Sequence, residues 1–226
     1  EDFLSVVKDL ETIAVLEQKI YSFCGLYYSE DTQNQEAQNL VARAEQFVAE
    51  IGNRILFFTL WWKDLDKENA QRLIDISGDY AYWLEAMRLF IPHTLSEAEE
   101  KIVNLKNVTG VSALQMVYSS ITNRYTYKIT INGEEKELTR GELMMYVREG
   151  DPDVRAQAYQ ELYRVYGADS NILGQIYQSV VRDWKNEQVG LRNHKSPISA
   201  RNLINDIPDE VVDTLLYSCQ KNAPLF

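Results

Sequence analysis

Apolar residues recur at three- and four-residue steps through the opening third of this chain, and that period restricts its possible folds more than any other feature. Phe3, Val7, Leu10, Ile13, Leu16, Ile20 and Phe23 fall on one side of an α-helix, which Gly25 is expected to end. After the polar interval SEDTQNQEAQ, a second run sets Leu40, Val41, Ala44, Phe47, Val48, Ile51, Ile55, Phe58 and Trp62 on a broadened face, as for a helix covered on two sides. Asp66 is placed to cap a third helix carrying Leu73, Ile76, Tyr80, Trp83, Leu84, Met87 and Leu89 up to Pro92. Antiparallel helices with short connections predict a bundle.

A fourth helix starts at Ser96, where Ser96 and Glu99 form a capping box and Glu97, Glu99 and Glu100 complement the positive helix end. Glycine at Gly110 should loosen it. The period then shifts to alternation. In YTYKITINGEEKEL, Tyr125, Tyr127, Ile129 and Ile131 share a face, and Asn132-Gly133 supplies the positive dihedrals of a tight hairpin. Helical starts return at Thr139 with Glu142 and at Asp151-Pro152. The latter carries Val154, Ala158, Leu162 and Val165, and the next helix turns Ile176, Val180 and Trp184 inward. A last helix over 208–219 has Asp206 as its candidate cap. The fold class is therefore mainly α, a multi-helix bundle with one β-hairpin at about residues 125–138.

Composition fits a globular protein. With 226 residues, 45% of them hydrophobic, the chain can bury a sizeable core, and a net charge of −11 argues against a nucleic-acid surface. The run ILFFTLWW is too short for a membrane span, and no secretory h-region opens the chain, so the expected setting is cytoplasmic, away from membranes. Cys24 and Cys219 both fall in apolar helical patterns and read as buried, reduced thiols. The chain opens without methionine and closes at KNAPLF, which reads as a piece of a longer polypeptide.

Candidate chemistry is sparse. His93 and His194 are the only imidazoles, far apart in sequence, and neither belongs to an H-E-x-x-H zinc signature. His93 reads as a structural residue of the connection at Pro92. Arg192, His194 and Ser196 make the most suggestive polar cluster, since arginine, imidazole and hydroxyl can bind a substrate carboxylate; the plainer reading is a solvated loop. Tyr159, Tyr163, Tyr166 and Tyr177 offer either peptide-groove or core-boundary rings.

The order of signals carries a resemblance. YAYWLEAMRLFIPHTLSEAEEKIV, then TG, then the tyrosine-rich hairpin with NGEEKELT, then GDPDVRAQAYQELY, resembles the amino-terminal region of the oligoendopeptidase F family of zinc metallopeptidases, relatives of thimet oligopeptidase. The resemblance is closest over 80–166, continues through RNHKSPISARNLINDIPDEVVDTLL and is weakest before Leu60. It divides the chain into a helical bundle at 1–92, a hairpin-bearing subdomain at 93–168, and at 169–226 the start of a helical catalytic region that stops before the zinc motif. What it implies is an enzyme that, when complete, binds one zinc ion and cleaves short peptides in a deep channel, and of which this chain is a wall. No position matches the family's zinc motif, so no catalytic or metal residue is carried over. The chain by itself is expected to hold no cofactor and cleave nothing, with short peptides and the rest of the parent polypeptide as its partners. The alternative is a stand-alone, non-catalytic helical scaffold or peptide-binding module.

Overall fold

The computed structural model describes residues 2–225. It is mainly α, 80% helical with one two-stranded hairpin, as the periodicities predict. No helix among the described residues is long and apolar enough to cross a membrane.

Helices α1 (Asp2–Glu30) and α2 (Gln35–Asp64) pack along each other as a long antiparallel pair. Gly25 does not end α1. A lone helical glycine costs only about 1 kcal/mol, and the neighbouring Cys24 is buried, so the helix runs on until the turn before Asn34. The Asn34 side chain accepts from the amides of Glu36 (2.8 Å) and Ala37 (3.2 Å), which starts α2. The inward stripe of α1 also differs from expectation. Val7 and Cys24 are buried while Leu16, Ile20 and Phe23 are exposed, so the inward line of α1 runs from Val7 through the part-buried Leu10 and Glu17 to Cys24. Leu10, Glu17 and Cys24 recur every seven residues, the spacing of a two-helix seam.

The expected third helix is broken in two. Asp66 caps α3 (Lys67–Asp75), accepting from the Asn69 amide at 2.9 Å. Gly78, at φ +54, then turns the chain through a 3₁₀ segment into α4 (Ala81–Arg88), and a second 3₁₀ turn at Ile91–His93 holds Pro92. These pieces close a first core of Val7, Phe58, Trp62, Ala70, Ile74 and Leu84. Trp62 is wholly buried, with its indole N–H donating to the Leu84 carbonyl at 2.9 Å. Arg88 donates to the carbonyls of Trp62 (2.6 Å) and Leu65 (2.8 Å), satisfying acceptors that the end of α2 leaves open.

Helix α5 (Glu97–Asn107) begins with the predicted capping box and passes through a π-helical turn containing Gly110 into α6 (Ala113–Thr122). Strands β1 (Tyr127–Ile131) and β2 (Glu134–Leu138) pair from Tyr127↔Leu138 to Ile131↔Glu134 around Asn132 (φ 53) and Gly133 (φ 84). Two strands alone are barely stable in water. Helices α7 (Arg140–Tyr146) and α8 (Pro152–Ala168) supply the missing cover, giving a second core of Tyr127, Ile129, Leu143, Val147 and Ala158. The outer edge of β1 is closed by side chains of α8: the Lys128 amide donates to Glu161 (2.8 Å) and the Thr130 amide to Gln157 (3.4 Å).

Helix α9 (Ser170–Trp184) ends in a π-helical turn, Lys185–Leu191, followed by α10 (Pro197–Ile204) and α11 (Asp209–Asn222). Asp206 does not cap α11. It adopts φ +56 in the preceding turn, and Pro208 takes the cap position. Cys219 is exposed, contrary to the expectation of two buried thiols; Cys24 alone is buried.

Candidate functional site

The residues singled out at 192–196 lie where the turn after α9 meets the start of α5. Arg192 reaches its main-chain position because the π-helical turn closes on itself, the Arg192 amide donating to the Glu187 carbonyl and the His194 amide to the Gln188 carbonyl, both at 2.9 Å. From there the guanidinium crosses to α5. Nη1 and Nη2 bind the two oxygens of Glu100, each at 2.8 Å, Nε binds Glu187 at 2.8 Å, and Nη1 also donates to the His93 carbonyl at 3.2 Å. Every nitrogen of the guanidinium is thus spent within the chain.

The fold also unites the two histidines. His93 donates from Nδ1 to the Arg192 carbonyl at 2.7 Å, answering the bond it receives, and its ring stacks on that of His194 with centroids 3.5 Å apart and planes at 14°. His194 is 5% exposed. Burial, then the neighbouring His93 and Arg192, push its pKa down. Burial works against ionisation of Glu100, but the Arg192 bonds and the Leu95 amide, which donates to it at 3.0 Å, hold its carboxyl below the usual range. Lys63 approaches from α2; burial lowers its pKa, Glu100 raises it and Arg192 lowers it. Ser196 has a separate task. It caps α10 by accepting from the Ser199 amide (3.1 Å) and bonds the Ser199 hydroxyl (2.9 Å), which in turn donates to Asp209.

Arg192 and His194 are therefore brought together, Ser196 serves the next helix, and Glu100 is the essential partner that reading the sequence missed. Glu100 reads as a first-turn acid, yet it lies on the phase of α5 that carries Val103 and Asn104 inward, the latter donating to Asn53 of α2 at 2.9 Å. That phase was the available signal.

The two imidazoles do not fit a zinc ion. Zinc needs ring nitrogens converging on one point with further ligands in a tetrahedron. Here the rings lie face to face, His93 Nδ1 is bonded to a carbonyl and a guanidinium stands beside them. Among the described residues no group of three or more His, Cys, Asp or Glu side chains is arranged to hold a metal. Tyr159, Tyr163 and Tyr177 are exposed on α8 and α9, and Tyr159 and Tyr163 stack at 6.4 Å; Tyr166 packs edge-on against Tyr125.

Residues 61–127 match the family model described as Oligopeptidase F. Oligopeptidase PepF of Bacillus subtilis is 24% identical over 214 residues, covering 92% of this chain and 32% of that protein. Group B oligopeptidase PepB of Streptococcus agalactiae is 24% identical over 220 residues, covering 92% of this chain and 35% of its own length. The chain is thus similar to the oligopeptidase F family, in its family model over residues 61–127 and in the amino-acid sequence of these relatives over most of its length. The crystal structure of oligoendopeptidase-F from Enterococcus faecium superposes on 99% of this chain with a TM-score of 0.82 at 23% identity, and 44% of that structure is covered. The fold is shared along the whole chain, including the opening helices where sequence resemblance is weakest. The chain spans about a third of the length of the curated oligopeptidases it matches.

Proposed function

We propose that this chain forms the amino-terminal, channel-wall part of a cytoplasmic zinc metalloendopeptidase that hydrolyses short oligopeptides. The observation that carries the reading is the Oligopeptidase F match at residues 61–127, which contains the Glu100 end of the Arg192 tie, supported by relatives named as oligopeptidases over 92% of the chain. In this reading zinc is held by the remainder of the polypeptide. The chain's own residues brace and line. The Arg192–Glu100 pair fixes α5 against the turn after α9, while the exposed phenols of Tyr159, Tyr163 and Tyr177 offer apolar rings with polar tips, suited to peptides of varied sequence.

The test begins with the gene. Reading beyond this segment should reveal an H-E-x-x-H helix, and the whole product should cleave a quenched fluorogenic oligopeptide but not a folded protein, with activity lost to a chelator and restored by zinc. The 226-residue chain alone should give no turnover. Hydrolysis by the isolated chain, or a gene ending without such a helix, would defeat the proposal and favour a free-standing scaffold.

A further inference from the structure

The β-hairpin has two edges, and the fold treats them differently. Its register sets Lys128 opposite Glu137 and Thr130 opposite Glu135. The amides of Lys128 and Thr130 turn outward to Glu161 and Gln157 of α8, so these two pairs are the ones that exchange no main-chain bonds across the ladder. The N–H and C=O groups of Glu135 and Glu137 therefore point the other way, off the far side of β2, where no group among the described residues bonds them. Both residues are exposed. Strand β2 has five residues, none of them proline, and pairs without a bulge. Nothing in its backbone blocks a further strand along its length of about 17 Å.

The two faces of the ribbon decide what such a strand would carry. On the inner face Tyr127 and Ile129 are buried, and Lys136, opposite Ile129, is turned onto Tyr146, its Nζ donating to the hydroxyl at 3.3 Å and lying 5.8 Å from the ring centre. The outer face is charged. Lys128 Nζ stands 3.7 Å from Glu135 and 3.9 Å from Glu137, all three side chains exposed, so one ammonium on β1 serves two carboxylates on β2. A third strand with cations opposite Glu135 and Glu137 would complete this row of alternating charge. A second copy of the chain would not. Two β2 edges brought together set glutamates against glutamates, and like charges directly opposite destabilise a sheet.

We propose that the open edge of β2 takes up a short, free, extended basic peptide as a third, antiparallel strand, with Lys or Arg at alternate positions facing Glu135 and Glu137. Main-chain bonds to the N–H and C=O groups of those two residues hold the peptide, and its alternate side chains select it. The residues between the cations turn to the inner face of the ribbon and are best apolar. The same carboxylates reject acidic peptides. The inference goes beyond the peptidase reading and needs none of it, since the edge is complete in this chain and the expected result is binding without turnover.

Acetyl-Lys-Val-Lys-Val-Lys-amide titrated into the full chain should bind saturably and slow hydrogen exchange at the Glu135 and Glu137 amides, read by NMR. The peptide with Glu in place of each Lys should bind about tenfold more weakly or worse. Strand addition also distinguishes among the peptide's own amides. In an antiparallel pair the lysines opposite Glu135 and Glu137 exchange both main-chain bonds, while the valine amides point away. N-methylation of the central lysine should therefore weaken binding about tenfold, and N-methylation of a valine should leave it within about twofold. Glu135→Gln combined with Glu137→Gln should abolish the preference for the basic peptide, with a melting temperature near that of the parent chain to show that the hairpin still forms. No saturable binding, unchanged exchange at the two amides, equal loss on methylating lysine and valine, or a preference that survives both glutamine substitutions would overturn the inference, as would protection of those amides by self-association of the chain without peptide.

Discussion

At the scale of single residues, Arg192 ties together carboxylates from two separate elements, Glu100 and Glu187. Its side chain is 16% exposed and that of Glu100 11%, so the pair is largely withdrawn from water. Removing one member of such a pair strands the other. Arg192→Met should therefore lower the unfolding free energy by about 3 kcal/mol, read from the urea midpoint, and adding Glu100→Leu should recover most of it. A double variant no more stable than the single one would argue against this account. The contrast with Ser96 shows what sequence can and cannot reveal about a residue. The Ser96–Glu99 capping box is a local contact spelled out over four positions, and it forms as read. Glu100 is next to it and of the same type, but its partner stands on a turn far along the chain, and no local pattern names that partner.

At the scale of elements, starts were more legible than interiors. Caps at Asp66 and Asp151 and the Thr139–Glu142 box each place a helix as read, because side chain and amide are neighbours in sequence. The inward face of α1 was harder to read. Leu16, Ile20 and Phe23 continue the apolar stripe by one period, while the helix packs by another in which polar Glu17 occupies a seam position. The hairpin is the opposite case, since alternation, turn residues and cover agree. Gly133 sits at φ 84. An alanine there places Cβ against the backbone, so Gly133→Ala should destabilise the chain by about 1 kcal/mol, measured by thermal unfolding, whereas Gly25→Ala in the helical run should be neutral or stabilising.

At the scale of the molecule, the junction between α5 and the turn after α9 adds a pH dependence. His194 has a lowered pKa in the folded state, caused by burial and then by His93 and Arg192, so the unfolded chain binds a proton that the folded chain resists. Its contribution to stability is complete above the ordinary histidine value of about 6.5 and is lost as pH falls from there through the folded value. Urea midpoints should drop between pH 7.5 and 5.5, and His194→Phe, which keeps a flat ring on His93, should flatten that drop. An unchanged slope in the variant would place the dependence elsewhere. The mutual bonds of residues 93 and 192 also make the 192–196 connection a poor hinge, since a backbone rotation there would break several contacts together. What bends instead is limited by the side chains of α8 that bond the amides of Lys128 and Thr130. Were α8 to drift from the ribbon, those amides would be bared at once, and the Tyr125 hydroxyl, which donates to Asp169 at 2.7 Å, holds the far end of the helix as well. Ribbon and helix are thus coupled like a paddle to its shaft, so that any displacement of one must carry the other with it.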